Sequence, residues 1–239
     1  MRLLKLFLTV IFVWVFIFAP AQASADNATT VILIRHGETD YNKVKRYQGH
    51  LDIPLNENGL KQAKLLAKSL KDYPIDVFIA SPLSRAYVTT ETVAKAKGMT
   101  VAYTDDRLKE IDYGDWAGEF VDDLKVKYPE EFKLWQERPW LMNFPNGENL
   151  RDMQYRGRSA LEDAVAKYPG KTILIGAHSF INATILCSVL GLDTEHFKQI
   201  RQNNTCINVL RYEDGVWQVV LLNSVAHLGT LTSEAGVMK

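Results

Sequence analysis

At 239 residues the chain suits one substantial domain and is short for two of ordinary size. Lys plus Arg balances Asp plus Glu at 28 each, which excludes a global pull toward nucleic acid or anionic membranes, so anions have to be bound by locally gathered cations. With 47% hydrophobic and 23% charged residues and no repeat or low-complexity tract, the composition excludes a disordered or solenoid protein.

The first element is a leader. Arg2 and Lys5 precede a run from Leu6 to Ala19 that is apolar except for Thr9. Pro20 follows, and then Ala21-Gln-Ala23-Ser-Ala25, which offers two overlapping Ala-x-Ala sites. This layout predicts a signal peptide over residues 1–25 and a domain over 26–239 that works outside the cytoplasm, secreted or periplasmic. The alternative is an uncleaved anchor, although the apolar run is at the short limit of the about 17–25 residues a spanning helix needs.

Beyond the leader, strand-like and helix-like runs alternate. "TVILIR" is apolar on both faces and reads as a central strand. "NENGLKQAKLLAKSLKDY" carries Leu60, Ala63, Leu66, Ala67 and Leu70 on one stripe and reads as an amphipathic helix. "IDVFIAS" is a second strand, "SRAYVTTETVAKAKG" a helix stopped by Gly98, and "VAYT" a short third strand. From Gly118 to Asn149 the pattern is irregular and rich in aromatics. A helix over "LRDMQYRGRSALEDAVAKYPG", a strand over "TILIGAH" and a helix over "FINATILCSVLG" come next. "CINVLRYEDGVWQVVLLNSV" reads as a hairpin turning at Asp214-Gly215.

This alternation predicts an α/β fold, a three-layer α/β/α sandwich around a mostly parallel mixed sheet with one antiparallel strand. In such sheets ligands bind beyond the carboxyl ends of the strands. Three of those ends carry chemistry: Arg35-His36-Gly37, Ser81-Pro-Leu-Ser-Arg85 and His178. Two arginines and two histidines on one rim would hold a tetrahedral dianion, since the guanidinium fork pairs with phosphate oxygens and a neutral imidazole can attack phosphorus. Cys187 and Cys206 fall in apolar patterns and read as two separate buried thiols rather than a disulfide. No Cys/His spacing suits a metal.

The string Arg35-His36-Gly37-Glu38-Thr39, followed by Asn42, resembles the signature of the histidine phosphatase superfamily in its phosphoglycerate mutase-like branch. "YQGHLDIPLNENGLKQA", "ASPLSRAYVTTET", "LKEIDYGDWAG", "PNGENL" and "LIGAHS" resemble further blocks of that family, in its order. The resemblance implies His36 as a nucleophile that takes the phosphoryl group, with Arg35, Arg85 and His178 holding its oxygens. It implies Glu110 as the group that protonates the leaving oxygen and then activates water. Thr39, Asn42, Gln48 and Gly49 would add contacts to the substrate. It implies a phosphomonoesterase with no metal and no organic cofactor. Its partner would be a small phosphorylated metabolite and not nucleic acid, with membrane contact only through an uncleaved leader.

Where the family usually has glycine after the second histidine, this chain has Ser179. His50 sits near the expected rim, and His227 in "NSVAHL" resembles a C-terminal segment expected to support it. Trp116, Trp135, Trp140 and Phe144 are read either as an apolar wall for the leaving group or as a small satellite core. Phosphoglycerate mutase-type transfer and an exported module that binds phospho-ligands without turnover are the rival readings. "EIDYGDWAGEFVDDLK" resembles the phosphatase rather than the mutase version of its block.

Overall fold

The computed structural model describes residues 28–231. The expected leader, residues 1–25, lies outside the described residues. Among the described residues no helix is long and apolar enough to cross a membrane.

Six strands form one sheet: β1 (Thr29–Arg35), β2 (Val77–Ala80), β3 (Tyr103–Thr104), β4 (Thr172–Ala177), β5 (Ile207–Glu213) and β6 (Val216–Ser224). Their order across the sheet is β3-β2-β4-β1-β5-β6. β1 pairs parallel with β4 and antiparallel with β5, which explains its need for apolar side chains on both faces. Only β5 runs against the others, because β6 pairs antiparallel with it. Asp214 (φ 49°) and Gly215 (φ 81°) both take the left-handed region that a two-residue hairpin turn demands.

Seven α-helices accompany the sheet among the described residues: α1 (Asp40–Val44), α2 (Glu57–Ser69), α3 (Ser84–Ala96), α4 (Val121–Lys127), α5 (Pro129–Glu137), α6 (Leu150–Lys167) and α7 (Ser179–Val189). α2 and α3 cover one face, where Leu66 and Val93 meet Ile32, Ile34, Phe78 and Leu174. α6 and α7 cover the other, where Leu161, Ile181 and Ile185 meet Val31, Leu33, Ile173 and Ile175. The three-layer sandwich is the observed fold.

Three sequence expectations change. Leu60 is 44% exposed and Gln62 is fully buried in its place, so the inward stripe of α2 is partly polar. The segment after Gly118 is less irregular than its sequence suggests, since it forms α4 and α5, separated at Tyr128 and restarted by Pro129 in the first turn of α5. Trp116, Trp135 and Phe144 make neither a pocket wall nor a satellite core: they join the main cluster on the α6/α7 face. Trp135 Nε1–H donates to the Tyr47 hydroxyl at 2.9 Å, which satisfies the one polar atom of that buried indole. Both cysteines are buried free thiols.

Candidate active site

The register that sets Arg35 opposite Ala177 delivers the ends of β1 and β4 to the same edge. His36 follows β1, His178 follows β4, and their rings meet edge to face at 5.1 Å between centroids. His36 Nδ1 lies 2.6 Å from its neighbour's carbonyl, Gly37 O. A carbonyl only accepts, so Nδ1 carries the proton and Nε2 keeps a lone pair. Burial, and then the nearby charges of Arg85 and Arg35, push the His36 pKa well below the ordinary 6.5. The same causes, with burial again the largest, lower His178. Both rings are therefore neutral near pH 7.

Main-chain carbonyls orient both arginines. Arg85, in the first turn of α3, donates to Gly49 O and Leu51 O, each at 2.8 Å. Arg35 Nη1 donates to Gln202 O at 2.7 Å. The nearby Glu110 carboxylate favours the charged form of both. Burial pulls Arg85 down to about 10, still a cation at neutral pH. Gly49 adopts φ +52°, and its carbonyl orients Arg85.

Glu110 is only 8% exposed, and its carboxylate accepts the N–H groups of Ile111, Phe180 and Ile181 at 3.1–3.2 Å. The last two open α7, whose N-cap His178 supplies no side-chain bond, so Glu110 takes that duty from across the fold. Arg156 pins the Glu110 carbonyl at 2.9 Å and pairs with Glu148.

A cleft of ≈ 930 Å³ opens over this edge, and Arg35, His36, Asn42, Gln48, Gly49, Arg85 and Glu110 all line it. Asn42 Oδ1 accepts Thr39 N–H, and Gln48 Oε1 accepts the Thr39 hydroxyl. Both amide NH₂ groups are thus turned away from Thr39 as donors. Thr39 itself lies behind the wall, fully buried as the N-cap of α1. His178 also sits behind the wall, where its Nε2 meets Ser81 Oγ at 2.8 Å. Its buried Nδ1 has no partner among the described residues. His50 bonds the Glu110 carbonyl and faces Asp112 at 3.5 Å.

The outer wall differs in character. Arg46 lies between the rings of Tyr41 and Phe120, 4.5 Å from each centroid, and donates to Gly118 O. Lys43, Lys45, Lys125 and Arg201 complete a cationic rim that faces Asp122. Sequence reading missed this rim because surface lysines carry no pattern. It also missed Tyr113, which lines the cleft three residues past Glu110, and the amide-rich loop from Gln202 to Thr205 beneath Arg35 and His36.

A nucleophilic imidazole beside two cations and a carboxylate can transfer a phosphoryl group. Comparison with known proteins agrees. The model of the histidine phosphatase superfamily (branch 1) matches residues 31–225. Phosphoserine phosphatase 1 of Hydrogenobacter thermophilus is 38% identical over 205 residues, 86% of this chain and 97% of that protein. The solved Bacillus stearothermophilus YhfR superposes with a TM-score of 0.80 at 30% identity, over 84% of this chain and 99% of that one. A phosphoserine phosphatase mutant from Entamoeba histolytica, solved with phosphoserine, superposes at 0.75 and 26% identity, over 84% and 99% of the two chains. With its motif at the end of β1 and the match running through the last strand of the sheet, the chain belongs to the histidine phosphatase superfamily, branch 1.

Proposed function

We propose that the protein hydrolyses phosphate monoesters through a phosphohistidine on His36. The observation that carries this reading is the 2.6 Å bond from His36 Nδ1 to Gly37 O, which leaves Nε2 as a lone-pair nucleophile beside two buried guanidinium groups. Nε2 attacks phosphorus as the P–O bond to the leaving group breaks, and Glu110 gives that oxygen a proton. Water then attacks the phosphohistidine, Glu110 takes the proton, and the P–N bond breaks to free the imidazole and inorganic phosphate. Arg35 and Arg85 neutralise the phosphoryl oxygens throughout. Asn42 and Gln48 donate from the side, and His178 supports the phosphoryl pocket from behind His36.

The cationic rim supports a substrate whose leaving group bears a further anionic group, such as a carboxylate. Two relatives named as phosphoserine phosphatases make phosphoserine the first substrate to assay. The leader pattern at residues 1–25 supports action outside the cytoplasm, to be tested by fractionation and by sequencing the mature N-terminus.

The test of the chemistry follows phosphate release from an aryl phosphate and from phosphoserine, with EDTA present, for the wild type and His36→Ala. Release by the wild type alone supports the reading, and equal turnover by His36→Ala overturns it. Phosphoryl transfer between phosphoglycerate positions without phosphate release would instead indicate a mutase.

A further inference from the structure

Behind the catalytic edge, the loop from Gln202 to Cys206 joins the chain to β5, and it touches the main chain of the proposed nucleophile more than any side chain of the cleft does. His36 N–H still belongs to the sheet and donates to Ala177 O at 3.1 Å. His36 O has left the ladder. It is met by two donors from the loop, Asn204 Nδ2 at 3.0 Å and Thr205 N–H at 3.2 Å. On the other side of the same peptide plane, Gly37 N–H donates to Thr89 Oγ1 at 3.1 Å. The plane between His36 and Gly37 is therefore gripped at both ends. The next carbonyl, Gly37 O, is the one that takes the imidazole proton. A rotation of this plane would swing Gly37 O and carry the ring with it.

Thr205 is held in an unfavourable shape to make its contact. It is a fully buried, β-branched residue at φ +52°, a region that such residues rarely adopt. Strain of this kind persists only where the surroundings overdetermine it. The surroundings here are specific. Thr205 Oγ1 meets His227 Nε2 at 3.2 Å. The Gln202 side chain is locked to Asn208 by a reciprocal pair of bonds at 2.8 and 2.9 Å, and Asn208 also donates to Leu33 O in β1. Asn203 and Asn223 exchange two further bonds across the hairpin. Asn204 Nδ2 also lies 3.4 Å from Asn42 Oδ1, which ties the loop to the cleft wall.

We propose that Asn204 and Thr205, braced by His227, form a clamp on the His36 main chain that aims its imidazole at phosphorus. This rests on the reading of His36 as the nucleophile. None of the three lines the cleft, so they act as positioning residues, and their effect falls on the transition state rather than on ground-state binding of phosphate. A loop that merely closed the sheet would affect stability alone.

The experiment compares Asn204→Ala, Thr205→Val, Thr205→Ser and His227→Gln with the wild type. It measures kcat and KM, and the affinities for vanadate, which mimics the pentacovalent transition state on a nucleophile, and for inorganic phosphate. Thr205→Val keeps the shape and loses the hydroxyl, whereas Thr205→Ser keeps the hydroxyl. In Asn204→Ala and Thr205→Val, kcat should fall about tenfold or more with KM within about twofold, since misaiming of this kind costs up to about a hundredfold. Vanadate affinity should fall with kcat while phosphate affinity holds, and Thr205→Ser should recover most of the loss. His227→Gln keeps a side chain able to bond Thr205 and should show a smaller loss than Thr205→Val. Should Thr205→Val not fold, Asn204→Ala carries the comparison. Unchanged kcat and vanadate affinity in both, or parallel loss of vanadate and phosphate affinity, would overturn the clamp and leave the active-site reading standing. A wild type that neither turns over nor prefers vanadate to phosphate would overturn both.

Discussion

Glu110 and Phe180 stand 70 residues apart in the chain, yet the carboxylate of the first receives the main-chain N–H of the second at 3.1 Å. Because Ile181 N–H joins the same oxygen, Glu110 both caps the N-terminus of α7 and lines the cleft that His36 lines. The two duties separate by mutation. Glu110→Ala should destabilise the protein by about 1 kcal/mol, as removal of a helix cap does, while Glu110→Gln keeps an acceptor oxygen and loses less. Both should lose about a hundredfold or more in turnover of alkyl phosphates, which need a proton on the leaving oxygen. Aryl phosphates with good leaving groups should be spared. Equal loss on every substrate would contradict the acid role.

Arg85 reaches the cleft through two carbonyls, Gly49 O and Leu51 O, which fix the plane of its guanidinium. Arg85→Ala should cost about a hundredfold in kcat/KM, the scale of removing a preorganised charge-stabilising donor. Arg85→Lys should not restore it, because an ammonium cannot hold both carbonyls and present a planar fork to phosphate oxygens. Steady-state kinetics on the two variants decide the matter, and activity near wild type in the lysine variant would mean that only charge is needed.

The turn at Gly37 and the first turn of α2 touch backbone to backbone. A Cβ on Gly59 would sit 2.1 Å from Glu38 O, and one on Gly37 would sit 2.5 Å from Gly59 O. Gly59→Ala would gain about 1 kcal/mol of helix propensity if nothing else mattered. The clash should instead make it destabilising, by about 1–3 kcal/mol, and should lower turnover by displacing the loop after His36. A melting temperature above that of the wild type would refute the close approach.

These contacts show what a sequence can and cannot reveal. Arg35, His36 and Arg85 stood out because each follows an apolar run or a turn at a strand end, whereas Glu110 was separated from its acidic neighbours only by the resemblance of its block to the family. α2 was legible by its period, but not the reversal of Leu60 and Gln62. α2 packs partly on the polar turn after His36, where Gln62 Oε1 accepts Glu38 N–H, and no periodicity announces a polar neighbour. Trp116 and Trp135 read equally as a pocket wall or as a satellite core because the segment in or beside which they lie lacked a clean period. Short helices such as α4 show too few turns to declare a face. Thr205 gave no signal at all, since a left-handed threonine is a consequence of the tertiary bonds around it.

The buried histidines make the last prediction. His36 and His178 are depressed chiefly by burial and then by the arginine charges, so in the native protein both should stay neutral well below pH 6.5. His227, lowered to about 4 by burial, should behave likewise. In the unfolded chain these rings take up protons near the ordinary value of about 6.5, and the native chain does not. Below that value the unfolded state binds more protons, so stability declines as pH falls, by up to about 1.4 kcal/mol for each unit separating the two pKa values of a ring. Imidazole ¹⁵N spectra recorded from about pH 7.5 to 5 should show these three rings neutral throughout. Melting temperature should drop over the same range, and His178→Gln should flatten the slope. Native rings that titrate near 6.5, or a melting temperature indifferent to acid, would show that the pocket does not hold its histidines neutral and would remove the ground for His36 as a ready nucleophile.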